Sequence, residues 1–338
     1  MSLLNTVDEL KQFVSIDSRT IPPAIAIALR EVEATVIRTV LGKPLADWLQ
    51  AAYDADGFDA DSADDLAAEL LRLVQAPLGR LATAIGLPEH QVIIDGTGVH
   101  IIVSETSKTA FQWQTVKAQA VLQGRGLRDL DMLVQWLEDN YQSSAELQAW
   151  ATSDAGQRHR RELFTSTAQF QEYENIGDSR AVFALLGPVR RRLEHFELGR
   201  VMGHEFLQEL RDQTLARNLS SDNKNLLRTY VLPALASLTV GHATPEMGLK
   251  FTGEGIELMV ARIDDSNSKE ADAGLDQLLK NKADQALLTG ARWLNQLTAY
   301  LDRTASATRF ATYFNSSAYT PPKPEPGRDF TAKTYRAC

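Results

Sequence analysis

Leu70-Leu71-Arg72, Pro77, Pro88-Glu89, the turn Asp95-Gly96-Thr97-Gly98 and the apolar run Val99 to Val103 are followed, far along the chain, by a second version of themselves. That version reads Leu226-Leu227-Arg228, Pro233, Pro245-Glu246, Thr252-Gly253-Glu254-Gly255 and Ile256 to Val260. The offset is 156 at Arg72/Arg228 and Pro77/Pro233, and 157 at Pro88/Pro245 and Gly96/Gly253, so one inserted residue accounts for the drift. A period this long exceeds any solenoid repeat and marks a duplicated domain.

Working outward, the same order of elements is predicted on both sides. Thr6 to Leu10 reads as a short helix with a capping box completed by Glu9. Pro22-Pro23 opens a second helix, in which Ile25, Leu29, Val32, Val36 and Val40 recur at helical spacing before Gly42 stops it. Pro44 begins another through Leu45, Trp48 and Leu49. Asp64 to Ile85 is predicted as a long helix kinked at Pro77, Val92-Ile93-Ile94 and Val99 to Val103 as a hairpin, and Ala110 to about Asn140 as a last long helix. On that last helix Val116, Ala120, Leu130, Leu133 and Leu137 fall on one side, and Gly124 and Gly126 weaken its middle.

In the second copy Asp178-Ser179-Arg180 and Gly203 answer Asp17-Ser18-Arg19 and Gly42 at offset 161, and Tyr300-Leu301-Asp302 answers Trp136-Leu137-Glu138 at 164. The fold expected is therefore mainly α: two tandem copies of a helical module, each with a small β-hairpin, plus an extended C-terminal arm. The expected boundaries are residues 1–142 for the first module, 143–164 for a helical linker, 165–314 for the second module and 315–338 for the arm. That arm contains Tyr319-Thr320-Pro321-Pro322-Lys323-Pro324-Glu325-Pro326-Gly327, a composition that favours extended polyproline geometry. Its expected bed is a neighbouring subunit or another protein, with Tyr319, Pro321, Pro322, Pro324, Phe330 and Tyr335 as its contact residues.

Composition narrows the function classes. With 338 residues, 44% of them hydrophobic and 23% charged, the chain can bury two ordinary cores. A net charge of −9 argues against a surface built to coat nucleic acid. No apolar run approaches the ~20 residues of a membrane span, and Met-Ser-Leu-Leu-Asn-Thr does not read as a signal peptide, so no membrane partner and synthesis in the cytoplasm are expected. The one cysteine, Cys338, permits neither an intrachain disulfide nor a cysteine metal cluster.

The motifs resolve to structural readings. An EF-hand beginning at Asp54 would need Gly where Asp59 stands and Glu where Asp65 stands, so the acidic stretch reads as a solvated loop. Gly96 and Gly98, like Gly253 and Gly255, precede strand-forming residues, whereas phosphate loops open a helix; they read as hairpin-turn glycines projecting toward partners. His204-Glu205 comes closest to a zinc motif, but Gln208 holds the place of the second ligand. Neither a catalytic constellation nor a metal or cofactor site is predicted, and the chain is expected not to be an enzyme. The dense basic clusters are Arg158 to Arg161 and Arg190-Arg191-Arg192; pairing with neighbouring carboxylates such as Glu162 and Glu194, an intersubunit charge contact, or phosphate contact with passing DNA are the readings for both.

Taken together, Asp8-Glu9-Leu10-Lys11-Gln12-Phe13, Val40 to Leu45, the Leu70-Leu71-Arg72 helix with Pro77, Ile94 to Val99 and Lys108-Thr109-Ala110-Phe111-Gln112-Trp113-Gln114 resemble an uncharacterised family of tailed phages and prophages of Bacteroidetes. Its members are similar in role to head-tail connector, or neck adaptor, proteins. The second half lacks the Phe-Gln-Trp-Gln motif. The resemblance implies a virion protein of the neck: a homo-oligomeric ring, of twelve subunits, between portal protein and tail or neck proteins, with DNA passing through without sequence-specific binding. Two alternatives stand beside it: a tail-side neck or terminator protein or part of a phage-derived injection machine, and a cytoplasmic enzyme with a site between the modules.

Overall fold

The computed structural model describes residues 2–60, 62, 65–90, 92–96, 98–101, 111–247, 249–252, 255–258 and 268–322. Within them the chain is mainly helical and divides into two compact units, Met1–Gly187 and Pro188–Cys338.

In the first unit Thr6 caps the helix Val7–Phe13 as its spacing predicts. Its hydroxyl accepts the Glu9 N–H at 3.2 Å, and Glu9 Oε2 accepts the Thr6 N–H at 2.8 Å. Tyr53 donates its hydroxyl to the other Glu9 oxygen at 2.6 Å, which pins this short helix to the body. A helical path then runs through Pro23–Val32, a π-helical turn Glu33–Ile37 and Arg38–Tyr53. It breaks at Gly42, whose φ of +68° lies in the left-handed region that a side chain disfavours. Leu66–His90 runs through both Pro77 and Pro88, and Gln112–Asn140 packs against it. Between them Val92–Asp95 pairs antiparallel with Gly98–Ile101, Asp95 facing Gly98.

The second unit repeats the plan. Its π turn Glu194–Leu198 stands 161 residues after Glu33–Ile37, and Gly203, with φ +78°, stands 161 after Gly42. The core repeats with it. Leu41, Leu45 and Leu49 answer Met202, Phe206 and Leu210, while Leu133 and Leu137 answer Leu297 and Leu301, all of them fully buried. At roughly 1.5–3 kcal/mol for each large apolar side chain taken from water, this ladder stabilises each copy's own core. A buried carboxylate recurs as well, with different donors. Glu33 Oε2 accepts Ser2 Oγ at 2.7 Å and the Leu3 N–H at 3.0 Å, whereas Glu194 Oε2 accepts Arg211 Nη2 at 2.9 Å. Leu249–Thr252 pairs antiparallel with Gly255–Leu258, and the long helix Ser268–Thr304 packs on Leu232–Met247.

The expected boundaries at 142 and 314 need correction. The segment 143–164 is helical, but as part of the first module rather than a linker: Ala145–Thr152 and Asp154–Arg160 pack on Arg38–Tyr53. Trp150 is buried with its indole nitrogen donating to the Val40 carbonyl at 2.9 Å, and Ala155 and Ser153 lie against Gly42. In the second unit Tyr313 is buried and Ser316 and Ala318 lie against Gly203. Ser153 and Ser316 each donate to the carbonyl three residues back, Trp150 and Tyr313 respectively, at 2.7 Å. Trp150, Ser153 and Ala155 thus answer Tyr313, Ser316 and Ala318 at one offset, 163. Each module ends in a closing segment that covers its own glycine break, and the first eight residues of the supposed arm, 315–322, begin as part of one.

The glycine expected to weaken the middle of the last helix has a packing reason. A Cβ on Gly126 would sit 2.7 Å from Leu81 Cγ, and one on Gly290 would sit 2.5 Å from Leu238 Cγ; these glycines let the paired long helices approach. Gly124 faces open space. Gly126→Ala and Gly290→Ala are each expected to cost about 1–3 kcal/mol through overpacking. Gly124→Ala should instead gain up to about 1 kcal/mol from helix propensity, a difference in sign that urea denaturation will read.

Periodicity misplaced part of that helix. Leu130, Leu133 and Leu137 are buried, but Val116 is 56% exposed and Ala120 is exposed too. A heptad-like pattern identifies a face, whereas burial also needs a neighbour beside it. Apart from Thr115, the residues of Gln112–Arg125 whose burial is described are all at least partly solvated.

Candidate interaction surfaces

The predicted contact residues separate into several places. Arg190, on the helix Gly187–Leu193, is 2% exposed, so its guanidinium is not presented to a partner or to phosphate. Arg191 is exposed, and Arg192 makes an ion pair with Glu246 on the helix Leu232–Met247. Three consecutive positions on a helix span most of its circumference, which is why one member of the triplet turns inward.

Tyr319 is half-buried on its own module, its ring 4.8 Å from Phe314 and 6.0 Å from Tyr313. The Thr320 N–H donates to Asp302 Oδ1 at 3.0 Å, and Pro321 and Pro322 are exposed. Pro324, Phe330 and Tyr335 lie outside the described residues, as does Gly253. Gly96 is exposed in the connection of the first hairpin; Gly98 and Gly255 each begin the second strand of theirs.

The cluster Arg158 to Arg161 divides similarly. Arg160 is buried, its Nε 3.4 Å from Glu138 Oε2 and its guanidinium 4.1 Å above the Tyr141 ring. Arg161 donates to Gln157 Oε1 at 2.6 Å. Between Arg158 and Arg160, burial lowers the His159 pKa to about 4, helped by Arg180 and Arg158 and opposed by Glu162. The unfolded chain takes up this proton near pH 6.5 and the folded chain near 4, so the contribution is complete above about pH 6.5 and falls away as pH drops toward 4. Subtracting the stability–pH curve of His159→Gln from that of the unsubstituted chain should leave a loss confined to that window, measured by urea unfolding at several pH values.

Most of the exposed large apolar side chains cluster elsewhere. Phe111 is 70% exposed, Trp113 64% and Met132 57%, around the same helix as Val116. On the second long helix Leu278 and Leu288 are 66% and 55% exposed. Phe111 and Trp113 belong to the Phe-Gln-Trp-Gln motif, yet the predicted contact residues do not include them. The available signal was their spacing: side chains two apart at a helix start point 200° apart and cannot enter one core.

Unit two carries an acidic counterpart surface. Along His204–Leu215 an open groove of about 640 Å³ is lined by Glu205, Gln208, Glu209, Asp212, Gln213, Ala216 and Asn218. Among the described residues no group of three or more His, Cys, Asp and Glu side chains could hold a metal ion, and no helix is long and apolar enough to cross a membrane.

A model of a family of unknown function, DUF6712, matches residues 37–160 and again 198–323. The two matches cover 250 of the 338 residues. Both include the closing segments, since 160 and 323 stand 163 residues apart, the offset of Trp150 and Tyr313. No curated protein and no solved structure matches the chain.

Proposed function

The chain belongs to the DUF6712 family, a family of unknown function, and we propose that it is a structural virion protein, a head-tail connector that assembles as a ring between portal and tail. The observation that carries this reading is the pair of long helices that hold large apolar side chains out in solvent, Phe111, Trp113 and Val116 in one module and Leu278, Leu279 and Leu288 in the other. Apolar surface presented on a rigid rod and repeated in both copies is suited to contact between proteins. A ring requires two different, complementary surfaces per subunit, and a fused pair of diverged modules supplies unlike surfaces.

The resemblance to phage neck adaptors supports the reading that this assembly has portal protein on one side, tail or neck proteins on the other and twelve subunits around the channel. A net charge of −9 favours DNA sliding past without adhering.

Sedimentation and electron microscopy of the purified protein, alone and mixed with portal protein, test the proposal. A closed ring in either sample is the expected result. A chain that stays monomeric in both and binds neither portal nor tail proteins removes the connector reading.

A further inference from the structure

The rod Gln112–Asn140 has chemistry beyond its exposed aromatics. Trp113, Lys117, Val121 and Arg125 follow one another at intervals of four, with Arg128 between Lys117 and Val121 in angle, so all five fall within about 120° of arc. All five side chains are exposed. No carboxylate occurs on the helix from Gln112 to Arg128, which gives the stretch a charge of +3 in a chain whose sum is −9. Arg128 has a loose partner, Asp178 at 3.9 Å.

The groove on His204–Leu215 has the opposite character. Glu205, Glu209 and Asp212 supply three carboxylates. Glu209 accepts from Thr312 and Gln213, and Asp212 from Gln208, contacts with neutral groups that leave their charges uncompensated by those partners. Arg211, on the same helix, donates to the buried Glu194. The stripe from Trp113 to Arg128 is about 22 Å long and the groove from Glu205 to Ala216 about 16 Å, comparable lengths at 1.5 Å per residue.

We propose that these are the two halves of one contact: the cationic, apolar stripe of one copy seats in the acidic groove of the next. This rests on the ring reading and names its surfaces. A second copy is favoured over nucleic acid as the occupant because Trp113 and Val121 are interleaved with only three cations in a single row, and because the chain carries a matching −3 surface of its own. Head-to-tail use of two unlike patches is what a closing ring requires. Opposite charges also steer the encounter and fix its register, so assembly should weaken as salt rises.

The test uses two full-length variants, Lys117→Glu with Arg125→Glu on the stripe and Glu205→Lys with Asp212→Lys in the groove. Circular dichroism and melting establish that each folds. Sedimentation of either variant alone should show the self-association constant weakened by at least about tenfold. An equimolar mixture should recover it, because each reversed surface then meets a reversed partner. Wild-type assembly in both variants, or loss that mixing does not restore, overturns this contact while leaving the ring intact. A stripe variant that assembles normally but loses affinity for duplex DNA assigns the stripe to nucleic acid instead. Wild-type chains that remain monomeric with and without portal protein overturn the ring and this contact together.

Discussion

Trp150→Ala should destabilise the first unit by about 4–6 kcal/mol, near the whole stability of many domains. Two losses combine. Trp150 is 1% exposed, and truncating a buried tryptophan costs about 3–5 kcal/mol in transfer and cavity terms. The second loss is a hydrogen bond with a particular job. In a regular helix the Val40 carbonyl would accept from the residue four ahead, but that residue is Pro44, which has no N–H. The Trp150 indole supplies the missing donor at 2.9 Å. Without it a buried carbonyl is left unpaired, for about 1–3 kcal/mol. Trp150→Phe separates the terms: it retains most of the packing and should lose chiefly the second. Urea unfolding followed by circular dichroism measures both. A Trp150→Ala loss within about 1 kcal/mol would show that the closing segment does not support the glycine break.

The duplication and the helical character were legible because the residues that report them are local. Gly42 and Gly203 adopt the positive φ that a helix stop requires, Thr6 and Glu9 cap as their spacing predicts, and the buried leucines keep helical periodicity. The closing segments were not legible. Their likeness reduces to an aromatic, a serine and an alanine, and the proline-rich composition that begins near Tyr319 obscures the second of them. What equates them is a tertiary fact, their position against Gly42 and Gly203.

The contact surfaces were harder still. Arg190 is one of three adjacent arginines, and only its neighbours' packing decides that it is buried and Arg191 exposed. Val116 and Ala120 carry a core-like period on a stretch of helix whose other sides are solvated as well. In both cases the pattern specifies a direction around the helix axis, while function depends on whether anything lies in that direction.

Either single substitution in the Glu138–Arg160 pair should cost the first unit about 3–5 kcal/mol, whereas Arg160→Met with Glu138→Leu should restore most of it. The side chains are 9% and 6% exposed, so each offsets a charge held largely out of water. Arg160→Met leaves the Glu138 carboxylate buried without its guanidinium, and Glu138→Leu does the converse, also leaving the cation over Tyr141. The second module shows what the carboxylate is for. Asp302, 164 residues after Glu138, accepts the Tyr313 hydroxyl at 2.7 Å and the Thr320 N–H at 3.0 Å, gripping the other closing segment with neutral donors. Asp302 thereby holds the Tyr313 hydroxyl, already disfavoured from ionising by burial, well above the usual phenol range. The last helix of each module therefore ends in an acid that fastens the segment following it, by charge in one copy and by hydrogen bonds in the other. Double-mutant-cycle analysis of urea unfolding decides whether charge compensation is the fastening force. Additive losses in the double variant would mean that Arg160 stabilises through its contacts with Tyr141 and the Ala151 carbonyl rather than through Glu138.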